Sequence, residues 1–294
     1  MEKIITDFLH ELGENYPTIV GVTAICFVGI LLSSAISDNN DKKEIASLAI
    51  LSIGATPLLA DLSQIVMETK ETVGDIQMTL SASVPALSTM NLGNSSVSQI
   101  VFFLLTEVII MLLNKVFLPL VLIYVALSFC GAFSDRFNVN SIKNTVKSFF
   151  TWGLGTMMII FSVISLLCGA MDGAKQTLLG RTLKHTGSMV PVVGRYLAES
   201  ADLTFAGLNV MKSTAGVSAT TALVGVMIAP ILKIASYILL YRLCSTIMKP
   251  VDNSGLCSIT DSVTDAFTML GGIVILVSVM AIMNISMLVK ISVG

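Results

Sequence analysis

The run VSQIVFFLLTEVIIMLLNKVFLPLVLIYVALSFCGAF, residues 97–133, decides what kind of protein this is. It is 37 residues long and its formally charged side chains are Glu107 and Lys115. A helix needs about 20 predominantly apolar residues to cross roughly 30 Å of hydrocarbon. The run is therefore membrane helix, yet too long for one simple span. Two readings stand: a steeply tilted helix, or two pieces hinged near NKVFLP, where Asn114, Lys115 and Pro119 cluster.

The rest of the chain agrees with that reading. Hydrophobic residues make up 54% of the 294 positions, charged residues 12%, and the mean hydropathy is +0.87. A globular domain needs more polar surface than this to stay solvated. Six apolar runs meet or approach spanning length: 18–37, 45–67, 97–133, 149–171, 217–241 and 266–289. Pro57, Pro119 and Pro230 interrupt three of them, which membrane helices tolerate because neighbours re-satisfy the freed backbone groups. The start of the chain, MEKIITDFLHELGENYP, is acidic rather than basic, and no A-x-A-like cleavage site follows, so the first run reads as a retained helix. The fold class expected is all-α: a polytopic integral membrane protein of about six transmembrane helices.

Several function classes drop out. The chain has no GxxxxGK[ST], HExxH or GxSxG motif. The glycines at 153, 155, 271 and 272 lie inside apolar helices, where they suit close helix packing better than a phosphate cradle. Cys26, Cys130, Cys168, Cys244 and Cys257 show no metal-ligand spacing, and His10 and His185 have no ligand-like companions. A formal charge of -2 with no basic domain leaves no footprint for nucleic acid. The expectation is a non-enzyme without cofactor or metal. The energy for any transport would come from a partner or an ion gradient.

The pattern repeats. SASVPALSTM (81–90) and GSMVPVVGRYL (187–197) each precede a long apolar run with an internal proline, in FLPLVL and IAPILK. Each run then ends in a polar turn, SDRFNVNSI and KPVDNSGLCSI. The matched points lie 106 to 117 residues apart, as expected of a duplicated unit whose loops have drifted. One multi-span membrane domain over 1–294 thus divides into a tail and first span (1–44), two repeat-like units (45–148 and 149–265) and a last span (266–294).

Residues 68–96 and 172–212 are too polar to span alone and read as interfacial or re-entrant segments. Over 189–205 a helix would gather Met189, Val192, Val193, Tyr196, Leu197 and Leu203 on one side, the moment of an amphipathic helix lying on the membrane. A re-entrant hairpin, its backbone covered by protein or water, is the alternative.

Ionisable groups inside spans carry a cost of ~2.5 to 3.5 kcal/mol at the helix centre, which makes them functional candidates. Glu107 and Asn114 lie seven apart and share a face with Lys115 close by. Lys233, Tyr237 and Tyr241 step by four and form one polar-tipped stripe. These six are the candidates to line a conduit or hold a partner's polar groups. The plainer reading of Lys115 and Lys233 is snorkelling to an interface beside a proline. Loops 38–44, 134–148 and 242–264 carry their Lys and Arg close to span ends, which places them in the cytoplasm and the termini and long polar segments outside.

KSFFTWGLG, GRTLKHTGSMVPVVGRYLAESAD, LNVMKSTAGV and APILKIASYILLYRLCSTIMKPVDN, in that order, resemble the stage III sporulation protein AE family of endospore-forming bacteria. The resemblance covers roughly residues 97–294, and RTLK with VPVVGRYL is its most specific part. It implies a multi-pass protein of the mother-cell membrane around the forespore. It also implies a component of a channel or feeding apparatus, with a permease-like or export-gate core as one role. The partners implied are other membrane and ring-forming proteins of the same operon, including an ATPase, besides the lipid bilayer; a homo-oligomer is compatible with it. Arg181, Lys184, Arg195 and Glu199 become the candidate partner face. Family members usually carry a signal sequence and a longer region before the first span, where this chain has about 16 residues. An independent secondary transporter built from duplicated halves, or a structural scaffold, are the competing functions.

Overall fold

The computed structural model describes residues 40–90, 97–133, 139–171, 214–249 and 255–292, together with scattered positions between 6 and 28. The segment 172–212, with its expected amphipathic helix and the partner-face residues Arg181, Lys184, Arg195 and Glu199, lies outside the described residues. So does most of the expected first span 18–37, whose described positions are helical.

Every regular element among the described residues is a helix. In chain order they are α1 (Asn40–Met90), α2 (Val97–Leu112), a π-helical turn (Leu113–Phe117), α3 (Leu118–Phe133), α4 (Val139–Met171), α5 (Thr214–Met248) and α6 (Leu256–Ser292). Among the described residues, five stretches are long and apolar enough to cross a membrane: Leu48–Ser81, Leu104–Ala132, Val139–Ser165, Met227–Met248 and Leu256–Asn284. They coincide with five of the six apolar runs, and the chain is an all-α protein with membrane-spanning helices.

Three boundaries differ from the sequence reading, each for a physical reason. Residues 68–90, expected as a separate interfacial or re-entrant segment, continue α1 without a break. Thr69, Thr72, Val73, Ile76 and Leu80 are buried at helical spacing, so the polar stretch owns an inward stripe despite its composition. The 97–133 run is two α-helices joined by the π-turn LNKVF, at the place of the expected hinge. Pro119 follows immediately; it has no N–H for the carbonyl four residues back, and a widened turn relieves that misfit. Finally, most of 134–148 and 242–264 is helix rather than loop. Gly255 turns the chain into α6 at φ +78°, a conformation that suits glycine.

The described chain forms two compact units. One comprises Met1–Glu71, Lys115–Phe150 and Ile228–Ile273; the other Thr72–Asn114, Thr151–Met227 and Val274–Gly294. In the first unit α6 is the centre. Leu256 lies against Gly54 of α1, where an added Cβ would come within 2.7 Å of its side chain. Asp265 meets Tyr124 of α3, Ser262 meets Lys143 of α4, and Phe267 packs between Tyr237 and Tyr241 of α5. Phe117 and Phe150 meet edge to face at 5.2 Å. The second unit has its own core of Ile110, Phe161, Val274, Val277, Met280 and Ala281.

Candidate functional site: polar clusters within the spanning helices

The helices of the first unit bring together two polar clusters, whose ion-paired side chains are 24% to 58% exposed. The first ties α1 to α5. Tyr241 is fully buried and its hydroxyl donates to Asp61 Oδ2. Lys233 Nζ lies 2.7 Å from Glu68 Oε1, an ion pair whose side chains are 24% and 32% exposed. Asp61 and Glu68 are two helical turns apart, and Lys233 and Tyr241 slightly more, in the opposite order. The two contacts are therefore rungs of one antiparallel seam. Gln64 Nε2 donates to the same Glu68 oxygen at 2.9 Å, which holds the carboxylate from its own helix. Tyr237 stacks on Tyr241 at 6.1 Å and both lean on Phe267, so the aromatic rings fix the direction in which Tyr241 reaches.

The second cluster joins α3, α4 and α6, with a contribution from α5. Asp265 Oδ2 accepts from Tyr124 at 2.9 Å and from Lys147 at 2.6 Å. Lys143 donates to Ser262 and lies 5.5 Å from the centroid of the Tyr124 ring, a cation–π contact. Asp261 accepts from Ser245 and pairs with Lys249 at 3.4 Å. These charges made 134–148 and 242–264 look like loops. On the folded chain they pair across helices, and a charge paired in this way can be held where an isolated one would be expelled.

The second unit holds smaller sets. Glu107 accepts from Gln77 at 2.6 Å and from Ser81 at 3.2 Å, both on α1. Asn284 of α6, which is buried, donates to Thr106 Oγ1 and to the Met280 carbonyl, each at 2.9 Å. Asn114 lies in the π-turn, where its Oδ1 is buried without a hydrogen-bond partner among the described residues.

Of the six expected intramembrane candidates, Lys233, Tyr237 and Tyr241 act together along α5, facing α1 and α6. Glu107 lies on α2 and Asn114 in the π-turn that follows it, in different surroundings, and Lys115 is exposed. Sequence reasoning missed Asp61, Glu68, Tyr124, Lys143, Lys147, Asp261 and Asp265. The seven-residue spacing of Asp61 and Glu68, one inside the apolar run 45–67 and one just beyond it, was the available signal.

The family model for stage III sporulation protein AE matches residues 1–292. Over 300 residues the chain is 20% identical to stage III sporulation protein AE of Bacillus subtilis (strain 168), covering 98% of this chain and 74% of that protein. No solved structure matches.

Proposed function

We infer that this chain, which belongs to the stage III sporulation protein AE family, is a non-enzymatic, multi-pass component of the membrane around the forespore and forms the permease-like core of a channel apparatus. Its partners in this reading are the other membrane and ring-forming proteins of the same operon, including the ATPase that supplies energy. The observation that supports a core over a passive anchor is the seam between α1 and α5. Charged and phenolic groups are costly inside a membrane helix, and by default they mark a functional surface. Here Asp61 with Tyr241 and Glu68 with Lys233 form two polar contacts, about two helical turns apart, between two candidate spans.

The test exploits the pairing. Lys233→Leu alone leaves Glu68 without its cation and is expected to lower the amount of inserted protein. Replacing both, Glu68→Leu with Lys233→Leu, removes the unmatched charge, and apolar replacement of an ion pair is often neutral or stabilising by ~1 to 4 kcal/mol. The double variant is therefore expected to accumulate normally in the membrane of sporulating cells and still fail to support spores. Normal spore yield from the double variant would make the seam a dispensable tether and overturn the role given to it. Substrate uptake by the purified protein alone in liposomes would instead indicate an independent transporter.

A further inference from the structure

Three basic residues lie on α5 or immediately past its end: Lys233, Arg242 and Lys249. Lys233 pairs with Glu68 and Lys249 with Asp261. Arg242 is exposed, and its guanidinium has neither an ion pair nor a hydrogen bond among the described residues. A guanidinium presents five N–H donors and keeps its charge in proteins. On a membrane helix it therefore calls for an anion from outside the chain.

What stands beside Arg242 shows which anion fits. Leu239, Leu243 and Ile247 step by four along α5 and are 45%, 53% and 53% exposed, an apolar ridge on the outside of the candidate span Met227–Met248. Such a ridge suits acyl chains. Arg242, Thr246 and Lys249, all exposed, form the strip directly alongside it at the helical period. Ser245 and Lys249 both meet Asp261 of α6, so α6 covers the far edge of the basic strip and the ridge lies on its open side. All of these residues belong to the first unit.

Depth and charge narrow the choice further. Arg242 precedes the span end Met248 by roughly 9 Å along the helix axis, and Lys249 is the first residue beyond it. A long basic side chain near a span end keeps its stem on apolar surface and carries its charge towards the headgroups. Thr246 donates to the Arg242 carbonyl, so the charged donors of the strip are Arg242 and Lys249. Asp261 matches Lys249 and leaves one positive charge over. That remainder fits a headgroup with one net negative charge, whereas a zwitterionic headgroup would bring its own ammonium against the guanidinium. We propose that this face of α5 binds an anionic phospholipid, with Arg242 forked on its phosphate, Lys249 beside the headgroup, and the acyl chains along Leu239, Leu243 and Ile247. The site does not depend on the permease-like reading.

The test uses the full chain, purified in detergent and freed of lipid, with native mass spectrometry to count the lipid it retains. Dioleoyl phosphatidylglycerol and dioleoyl phosphatidylethanolamine are added in separate titrations. The wild type is expected to hold its first phosphatidylglycerol at about fivefold lower concentration than phosphatidylethanolamine, the worth of one basic side chain beside anionic lipid. Arg242→Gln should erase that preference and Arg242→Lys should keep part of it. Lys70→Gln, which removes an exposed cation of α1, should leave it intact. Equal retention of the two lipids by the wild type would overturn the proposal, and this comparison requires no variant to fold. An unchanged preference in Arg242→Gln would overturn it as well. So would an equal loss in Lys70→Gln, because the lipid would then be responding to net charge alone. Inorganic phosphate in millimolar excess should not displace the bound phosphatidylglycerol; displacement would mark a site for free phosphate rather than lipid, and the proposal would fall.

Discussion

Asn284 shows at a single residue what holds these helices in register. Its buried amide donates to Thr106 on another helix and to the Met280 carbonyl on its own. Thr106→Val keeps the shape and removes the acceptor. Interhelical hydrogen bonds in membranes average ~0.6 kcal/mol and reach ~1.7, so the variant should unfold in detergent with a loss in that range. Asn284→Leu in the Thr106→Val background should then add little. Equal, additive losses from the two changes would mean that the pair is not coupled. Neither partner was legible in the sequence. Asn284 sits inside an apolar run, and a residue 178 positions away supplies its acceptor. Lys233 was legible because a lysine inside a span stands out locally, whereas its partner Glu68 follows from which helices pack together.

At the scale of elements, apolar length was sufficient to find five helices, and the cluster of Asn114, Lys115 and Pro119 located the break between α2 and α3. The helix ends were less accessible, because charge was read as loop. Instead Lys147 of α4 pairs with Asp265 of α6, Lys143 of α4 donates to Ser262 of α6, Asp261 pairs with Lys249, and α1 keeps a buried stripe through a polar stretch. Close approach of α1 to the start of α6 was also hidden. It depends on Gly54, where a Cβ would meet the Leu256 side chain at 2.7 Å. Gly54→Ala should have a mild effect, since the contact is with the movable end of a leucine. Gly54→Val, with two further methyl groups, should lower stability by about 1 to 3 kcal/mol. Thermal unfolding in detergent distinguishes the two, and a wild-type midpoint for the valine variant would show that the helices can separate without loss.

For the whole molecule, the element order constrains which connections share a side of the membrane. Between the α3–α4 connection (134–138) and the α5–α6 connection (250–254) the chain runs through two candidate spans, Val139–Ser165 of α4 and Met227–Met248 of α5. In the cysteine-replaced protein, Asn138→Cys and Asn253→Cys should therefore react with an impermeant thiol reagent from the same side, and Lys175→Cys from the other. Equal labelling of all three in intact cells would be incompatible with this path of the chain. The central position of α6 has a consequence for how the protein is made. Of its most apolar window, 72% is buried, against 28% to 44% for the other four candidate spans. Yet α6 leaves the ribosome after all of them. Until it arrives, Tyr124, Lys143 and Lys147 lack Asp265 and Ser262, and Gly54 faces no leucine. The nascent helices must wait, either at the insertion machinery or loosely associated in lipid, for the one segment that lets them close.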